Sequence, residues 1–382
     1  MSSATSFLVR RGLEITQVVS GTTPSPTSVP NDGKKQIIIA PWAYILFGLT
    51  AIGFVVAFIA VQYTYGMVVA TLATVEDPSP NVYTAIEVED DPNGTPKNPD
   101  ELSGAEHTGK PITSQLRTTV RHLRSRAGPW SRFRGFGVFI VWNICRGILM
   151  RIFTFGASSK YLLLHAGAQI LAEVAVTNLT LTWVHIVISE PSSKSWIRRI
   201  PSLRGNWLKA APAVALNSVA SQLSFLLPMY LAQLTGSFRL DDSNLSLLAS
   251  DGEKPSPGAI GGGLASIALS LALVVFLEIP AAVTMIRVAA SMLPSDDEPI
   301  VPFDRTFGGK AVPVALGEPG KVGLLDAWKT FSKSSRSRLI KVLLKTFGIL
   351  LAISLVCGLA LGLEILLLRD SIFKQLMQAN RS

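Results

Sequence analysis

The chain has 382 residues, of which 48% are hydrophobic and only 16% are charged, and its formal net charge is +9. A soluble domain has about 25% charged residues, and here the apolar residues form long runs, so the composition excludes a large soluble core and favours membrane spans. The only cysteines, Cys145 and Cys357, lie inside apolar runs, which excludes a disulfide framework and a cysteine-rich zinc site.

The N-terminal third alternates between polar segments and one long apolar run. Residues 1–36 are rich in serine, threonine and proline and are expected to form a disordered tail. Residues 37–75 carry no charge. This run exceeds the ~20 residues that cross a membrane as a helix, so it predicts a first span with an extension beyond the bilayer. Residues 76–134 are acidic and then arginine-rich, and they predict a disordered loop.

The second and third spans are predicted at 137–155 and 161–188. Their short connection predicts an antiparallel hairpin. Arg146 and Glu173 lie deep in these adjacent spans, where a lone charge is costly. We therefore predict that the two side chains pair across the hairpin or share a small water-filled site.

A polar stripe runs along the third span. Its members recur every three or four residues, which places them on one helix face: His165, Gln169, Glu173, Thr177 and Thr180. One interpretation is a polar seam that joins helices, and the other is the lining of a hydrophilic cavity. A polar seam is the commoner arrangement, and Glu173 near mid-span adds support for the cavity. The fourth span, predicted at 210–235, contributes Asn217 to the same candidate lining.

The fifth span, predicted at 260–292, contains two charged residues and a proline, Pro280. Proline removes a helix hydrogen bond, so we predict a kink near Phe276. Glu278 and Arg287 lie on opposite faces and cannot pair with each other. We expect Glu278 to point into the bundle and Arg287 to reach the headgroups at the basic face by snorkelling. The alternative for Glu278 is a protonated carboxyl that hydrogen-bonds a neighbouring serine or threonine.

The C-terminal part predicts one more span, at 342–368, followed by a polar tail over 369–382. A basic amphipathic segment, 323–337, precedes it and is expected to lie at a membrane surface or to pack under the bundle. The predicted fold class is therefore all-α, a polytopic membrane helix bundle with about six transmembrane helices, five of them within 135–368. The loops after the first, third and fifth spans are basic near the membrane, which predicts both termini on the opposite face.

The same patterns predict the partners. The chain is expected to sit in a lipid bilayer and to contact anionic lipid through its basic loops. No aromatic-basic nucleic-acid pattern, metal-ligand pair or acidic dyad at helical spacing appears in the sequence. We therefore expect no nucleic-acid partner, no metal, no cofactor and no enzymatic activity.

Several stretches resemble an uncharacterised family of fungal multi-pass membrane proteins: PAAVTMIRVAASMLPSDDEPIVPFDRTFGGK (280–310), GLLDAWKTF (323–331), WVHIVIS (183–189), RRIP (198–201) and WLKAAPA (207–213). Members of that family often carry the label "ubiquitin carrier protein". Ubiquitin conjugation needs an accessible cysteine thiolate. Both cysteines of this chain are predicted inside the membrane, so its residues do not support that chemistry.

The rhythm of long basic and short loops is similar to that of mitochondrial carriers. The carriers share a Pro-x-acid-x-x-base signature that is followed by one further base. Pro280 matches its proline and Arg287 matches the further base, but Ala282 stands at the acid position and Met285 at the first base position. The resemblance implies a six-helix carrier in the mitochondrial inner membrane. The departures put the salt-bridge gating network of that family in doubt, so no binding residue is transferred.

Two functions remain open on the sequence. The first is carrier-like transport of a small solute through a cavity lined by Arg146, His165, Gln169, Glu173, Asn217, Glu278 and Arg287. The second is a non-transporting membrane scaffold or assembly protein. The compartment follows the function: a carrier belongs to the mitochondrial inner membrane, and the alternative is a membrane of the secretory pathway.

Overall fold

The structure, a computed structural model, describes residues 41–77, 111–155, 161–202, 205–240, 245–247, 257–311 and 320–379. Within them, five helical stretches are long and apolar enough to cross a membrane, and a bent pair of helices makes a sixth. The fold is therefore the expected all-α membrane bundle of about six spans. Residues Thr50–Leu359 form one compact unit, and the described residues 41–49 and 360–379 belong to a second.

The helices follow the apolar runs of the sequence. Those before the fourth span are α1 Pro41–Val61, a π-helical turn Gln62–Val69, α2 Ala70–Val75, α3 Leu116–Ala127, α4 Phe136–Thr154, α5 Leu162–Ala175 and α6 Thr177–Ile188. The rest are α7 Gly205–Leu234, α8 Pro257–Leu273, a π-helical turn Val274–Glu278, α9 Ile279–Ser291, α10 Leu324–Lys329 and α11 Lys333–Ala379. Short strands β1 Phe238–Leu240 and β2 Leu245–Leu247 pair antiparallel between α7 and α8.

Large apolar side chains cover the outer surface of the spans. Leu49, Ile148, Leu264 and Leu355 are all more than half exposed. Lipid tails solvate such side chains but offer no partner to a backbone N–H or C=O, so each spanning segment must satisfy its own backbone as a helix. Helical spans with apolar outer faces are therefore the structure that this composition dictates in a bilayer.

The loops of the basic face are folded together into a layer that we call the cap, formed by residues 111–135, 189–202, 292–311 and 320–332. Backbone bonds tie its segments to one another, including Glu190 N to Glu298 O at 2.7 Å and Ile300 N to Ile188 O at 2.8 Å. The predicted disorder of 76–134 is therefore wrong for 111–134. Residues 78–110 and the predicted tail 1–36 lie outside the described residues.

Helix α3 shows why the basic loop folds. Its arginines Arg117, Arg121 and Arg124 are exposed, whereas Thr119 and Leu123 on the opposite face are completely buried. An apolar stripe at this spacing is typical of a helix that packs on a core. The sequence did not reveal this buried face, because the helix is rich in arginine and only one of its large aliphatic side chains, Leu123, is fully buried.

The first span extends into the cap as predicted. Its α1 part is largely exposed to the membrane side, while Val68, Val69 and Leu72 after it are fully buried. Tyr63 marks the change of surroundings: its hydroxyl donates to Arg134 O at 2.5 Å and accepts from Trp183 Nε1 at 3.1 Å. The cap therefore packs around the part of the first span that follows α1.

Two predicted spans are not regular helices. The third is bent by 60° between α5 and α6, and the sequence did not predict this break because neither proline nor glycine stands at Val176, where it occurs. In the fifth, Pro280 predicted a kink near Phe276; the structure has a π-helical turn over Val274–Glu278, and Pro257–Ser291 continues as one span. The fourth span remains one helix through its two prolines.

The last helix extends beyond the predicted span 342–368 at both ends. The amphipathic segment 323–337 is divided between α10 and the start of α11, and it packs under the bundle, with Ala327 and Phe331 buried. At the other end, α11 continues to Ala379, so it includes most of the predicted polar tail.

Candidate functional site

A cavity of about 170 Å³ lies between the spans. Four spans supply its walls: Trp142 and Arg146 from α4, Gln169 and Glu173 from α5, Thr180 from α6, Val214, Asn217, Ser218, Ser221 and Gln222 from α7, and Met285 from α9. Most of these side chains carry hydrogen-bonding groups. Polar side chains are expensive against lipid, so they gather where the helices face one another.

The ion pair predicted between the second and third spans is present. Arg146 Nη1 donates to Glu173 Oε1 at 3.0 Å, and Trp142 Nε1 donates to the other carboxylate oxygen at 3.2 Å. Arg146 also donates to Asn143 Oδ1 at 2.9 Å. The Glu173 side chain is 13% exposed, so its charge depends on these donors rather than on bulk water.

The bend in the third span borders the cavity and is locally satisfied. A break in a membrane helix frees backbone carbonyls that need new donors. Here Val174 O accepts from Trp207 Nε1 of α7 at 2.8 Å and from the Thr177 hydroxyl at 2.7 Å. The bend also redirects the polar stripe: Gln169, Glu173 and Thr180 line the cavity, whereas the Thr177 hydroxyl bonds back to Val174 O of α5.

The structure brings together most of the sequence-predicted site residues but not all. Arg146, Gln169, Glu173 and Asn217 line the cavity. Glu278 stands beside it, with Ser221 Oγ donating to its Oε1 at 3.4 Å. His165, two turns before Glu173 on α5, does not line the cavity.

Arg287 lies elsewhere, and its predicted position at the headgroups is wrong. It is 6% exposed and buried in the cap. Its guanidinium donates to Ala327 O at 2.8 Å, Thr330 Oγ1 at 2.9 Å and Thr74 O at 3.3 Å. It also stacks over the Phe307 ring, 4.4 Å from the centroid. The carbonyls and the ring solvate the charge in place of lipid headgroups.

Sequence reasoning missed Trp142, which completes the carboxylate's shell. Its signal was its position four residues before Arg146 on the same predicted helix, which puts both side chains on one face. A separate observation concerns Thr180 at the cavity: its hydroxyl is buried and has no hydrogen-bond partner among the residues that the structure describes. Such a group calls for a solvent or ligand partner.

A second cavity, of about 300 Å³, lies inside the cap and is lined by Glu76, Asp77, Arg287 and Asp304 among others. Burial alone would raise the pKa of the Asp304 carboxyl, but hydrogen bonds from the Thr306 hydroxyl and from the N–H groups of Gly308 and Thr306 hold it below its usual value. Among the described residues, no group of three or more histidine, cysteine, aspartate or glutamate side chains could hold a metal.

Glu76, directly after α2, was also missed, because it begins the stretch predicted as disordered. Its side chain is fully buried. The carboxylate accepts from Ile112 N at 2.6 Å, from Thr113 N at 3.0 Å and from the Thr113 hydroxyl, and it pairs with Arg338 at 3.6 Å. These contacts join the first span, the 111–115 segment and the last helix, so we assign Glu76 a structural role.

No protein-family model, curated protein or solved structure matches this chain. The geometry of the site therefore has to support any functional proposal by itself.

Proposed function

We propose that the protein carries a small polar solute through the membrane and that the cavity at Arg146 and Glu173 is its binding site. The observation that carries the proposal is a hydrogen-bonding cavity enclosed by four spans, which contains an ion pair and the buried hydroxyl of Thr180 without a partner. Charged and polar groups inside a membrane bundle mark solute and ion pathways.

The lining defines the class of solute. Arg146 and Glu173 bring one positive and one negative charge, and the other polar members are amides and hydroxyls. Balanced charge suits a zwitterionic or neutral polar solute better than a multivalent ion. A volume of about 170 Å³ holds about six waters at ~30 Å³ each and falls below the ~300–1,000 Å³ of sites for drug-sized ligands.

Helix irregularities support a binding role. The 60° bend between α5 and α6 and the π-helical turn Val274–Glu278 lie in two different spans, and both adjoin side chains at the cavity, Glu173 and Glu278. Secondary transporters build their solute sites near the bilayer midplane from discontinuous helices. The arrangement here follows that principle.

The alternative function, a non-transporting scaffold, also has an observation in its favour. Arg146, Glu173, Trp142 and Asn143 satisfy one another without any solute. A closed network of this kind is what a polar seam between helices requires. The two readings differ in one property: a carrier's cavity must be reached by water, whereas a seam stays dry.

Thiol accessibility tests this difference without knowledge of the solute. The background is the full-length protein with Cys145→Ala and Cys357→Ala in sealed vesicles. Ser218 is buried and lines the cavity, while the adjacent Val219 is 39% exposed on the outer surface of α7. Ser218→Cys should react with a membrane-impermeant methanethiosulfonate, and Val219→Cys, facing lipid, should not. Equal protection of both positions would contradict a water-filled route and favour the seam.

Uptake into liposomes tests transport itself. Purified protein is reconstituted and offered labelled glycine, alanine and glycerol. The proposal expects saturable uptake of at least one of these probes, and loss of that uptake in Glu173→Gln. Asp296→Asn, in an exposed part of the cap, is the matched control and should retain uptake. Transport that persists at full rate in Glu173→Gln would remove the cavity from the pathway.

Localisation and orientation remain part of the proposal. A carrier of the inner mitochondrial type would place a tagged chain in that membrane, with the cap in the matrix. Residence in a secretory membrane would place the cap in the cytosol, since basic loops stay on that side. In either case we expect tags at the two termini to share one side in a protease-protection assay.

A further inference from the structure

A third cavity, of about 310 Å³, opens where two basic segments of the cap meet, and we call it the basic pocket. Its polar and aromatic walls are Ser131, Arg134, Lys194, Trp196, Arg199 and Trp130. The lining contains three cations and no acid, and Lys194 pairs with Asp296, which lies outside the lining, at 3.7 Å. The basic pocket shares no lining residue with the cavity at Arg146 and Glu173 or with the cavity inside the cap at Asp304.

Three polar atoms of the basic pocket are buried without a hydrogen-bond partner in the described part of the chain: Ser131 Oγ, Arg134 Nη1 and Arg199 Nε. Native structures satisfy nearly all buried polar atoms, so a cluster of three unsatisfied donors in one cavity requires an explanation. A ligand with several acceptor oxygens supplies it.

The two guanidinium groups are held in place by their other nitrogens. Arg134 donates to Ile186 O at 2.9 Å and to Ser189 O. Arg199 Nη2 donates to Ser189 Oγ at 2.7 Å and to Asp297 Oδ2 at 3.0 Å, and its side chain is only 8% exposed. Both arginines are therefore anchored, and each keeps one buried nitrogen, Arg134 Nη1 or Arg199 Nε, without a hydrogen-bond partner among the described residues. Pre-set guanidinium donors suit phosphate oxygens.

The basic pocket also lies at one end of a span candidate, Ser131–Thr154. Ser131 is the first residue of the span Ser131–Thr154. Trp130, the residue before it, is 76% exposed, and Trp196 lies across the pocket. Tryptophan is enriched at membrane–water interfaces, and basic membrane-proximal segments attract anionic lipid.

We propose that the basic pocket binds a phosphate-bearing anion through Ser131, Arg134, Lys194 and Arg199. An anionic phospholipid headgroup and a free phosphate compound share this chemistry. The bound phosphate supplies acceptors to the three unsatisfied donors and sits against three cations.

Equilibrium binding to the full-length protein in uncharged detergent tests the proposal. The probe is radiolabelled dioctanoyl phosphatidic acid, competed by dioctanoyl phosphatidylcholine or by inorganic phosphate. We expect saturable binding that phosphatidylcholine does not displace. Displacement by inorganic phosphate identifies phosphate itself as the ligand, and resistance to it identifies the lipid; both support the site. Equal displacement by phosphatidylcholine overturns it.

Variants separate the basic pocket from the general positive field. Lys194→Gln should weaken binding about fivefold, the effect of one cation near an anionic surface. Arg134→Gln should weaken it roughly tenfold or more, as expected for hydrogen bonds from a charged donor. Arg198→Gln removes the same charge from an exposed neighbour of Arg199 outside the lining and is the matched control. A loss in Arg198→Gln equal to that in Lys194→Gln overturns the proposal.

Ser131→Ala keeps the test valid if Arg134→Gln does not fold, because it removes one unsatisfied hydroxyl without changing charge. The loss of one hydrogen bond should weaken binding roughly twofold to tenfold. Unchanged affinity in both Ser131→Ala and Lys194→Gln would show that the phosphate does not occupy the basic pocket.

Discussion

Glu76→Gln should destabilise the protein strongly although it changes only one atom. The carboxylate accepts from two backbone N–H groups and a hydroxyl and faces Arg338. The amide keeps one acceptor oxygen and turns an N–H₂ towards the remaining donors. It also removes the negative charge from a guanidinium whose side chain is only 8% exposed. Breaking one partner of a buried pair costs about 3–5 kcal/mol.

The assay is unfolding of the full-length protein in detergent micelles, followed by tryptophan fluorescence as denaturant increases. Glu190→Gln is the matched control, because its pair with Arg126 spans 3.4 Å between side chains that are 33% and 61% exposed. An exposed pair contributes about 0.2–1 kcal/mol. A loss for Glu76→Gln no larger than that for Glu190→Gln would refute the assigned structural role.

A local measurement tells where the damage falls. Glu76 holds residues 111–115, which lead directly into α3. Trypsin should therefore cleave at the exposed Arg117 faster in Glu76→Gln than in the parent protein under native conditions. Cleavage at the parental rate, together with global destabilisation, would place the effect at Arg338 instead.

Three further outcomes are expected. In a double-mutant cycle, Arg146→Met or Glu173→Gln alone should each lower the unfolding free energy by about 3–5 kcal/mol. The double variant should lose less than the sum of the two, because no lone buried charge remains. Additive losses would contradict the pair. The pKa of Asp304 is lowered on folding, so the Asp304 carboxylate stabilises the folded state above the pKa of an unfolded aspartate, and this stabilisation is lost as pH falls through the folded value. Protease cleavage near Phe307 should therefore rise in acid, and Asp304→Asn should abolish that rise. Gly135→Ala adds a Cβ 3.1 Å from the Trp183 ring at a residue whose φ is +70°, and should lower the unfolding free energy by about 1–2 kcal/mol. Gly137→Ala adds a Cβ in open space and should leave stability unchanged or raise it in the same unfolding assay.

The sequence predicted those features that depend on one span or one close pair. Apolar length gave the spans, and the expense of isolated charges in lipid predicted that Arg146 would find Glu173. For the fifth span, Pro280 predicted an irregularity near Phe276 from its missing N–H, and the helix has a π-helical turn there rather than the expected kink. Each of these predictions needs only the chain's own periodicity and the bilayer as solvent.

The cap was not predictable in the same way. Its packing depends on contacts between residues far apart in sequence, such as His122 with Ile300 O at 2.9 Å. Arg287 was placed at the headgroups because it lies near the basic face, and its partners Ala327 and Thr330 come 40 and 43 residues later in the chain. The bend at Val176 depends on a donor from another helix, Trp207, and no local sequence rule reveals it.

Helix α9 connects two parts of the molecule that have different tasks. Met285 faces the solute cavity, and Arg287, two residues later, is anchored in the cap by bonds to Thr74, Ala327 and Thr330. A helical rod cannot shift at one of these positions and stay still at the other. A solute that displaces α9 must therefore strain or break the anchor, so occupancy would be readable from outside the bilayer as faster amide hydrogen exchange around Ala327. Unchanged exchange during saturable uptake would mean that the rod stays fixed and that other helices open the route.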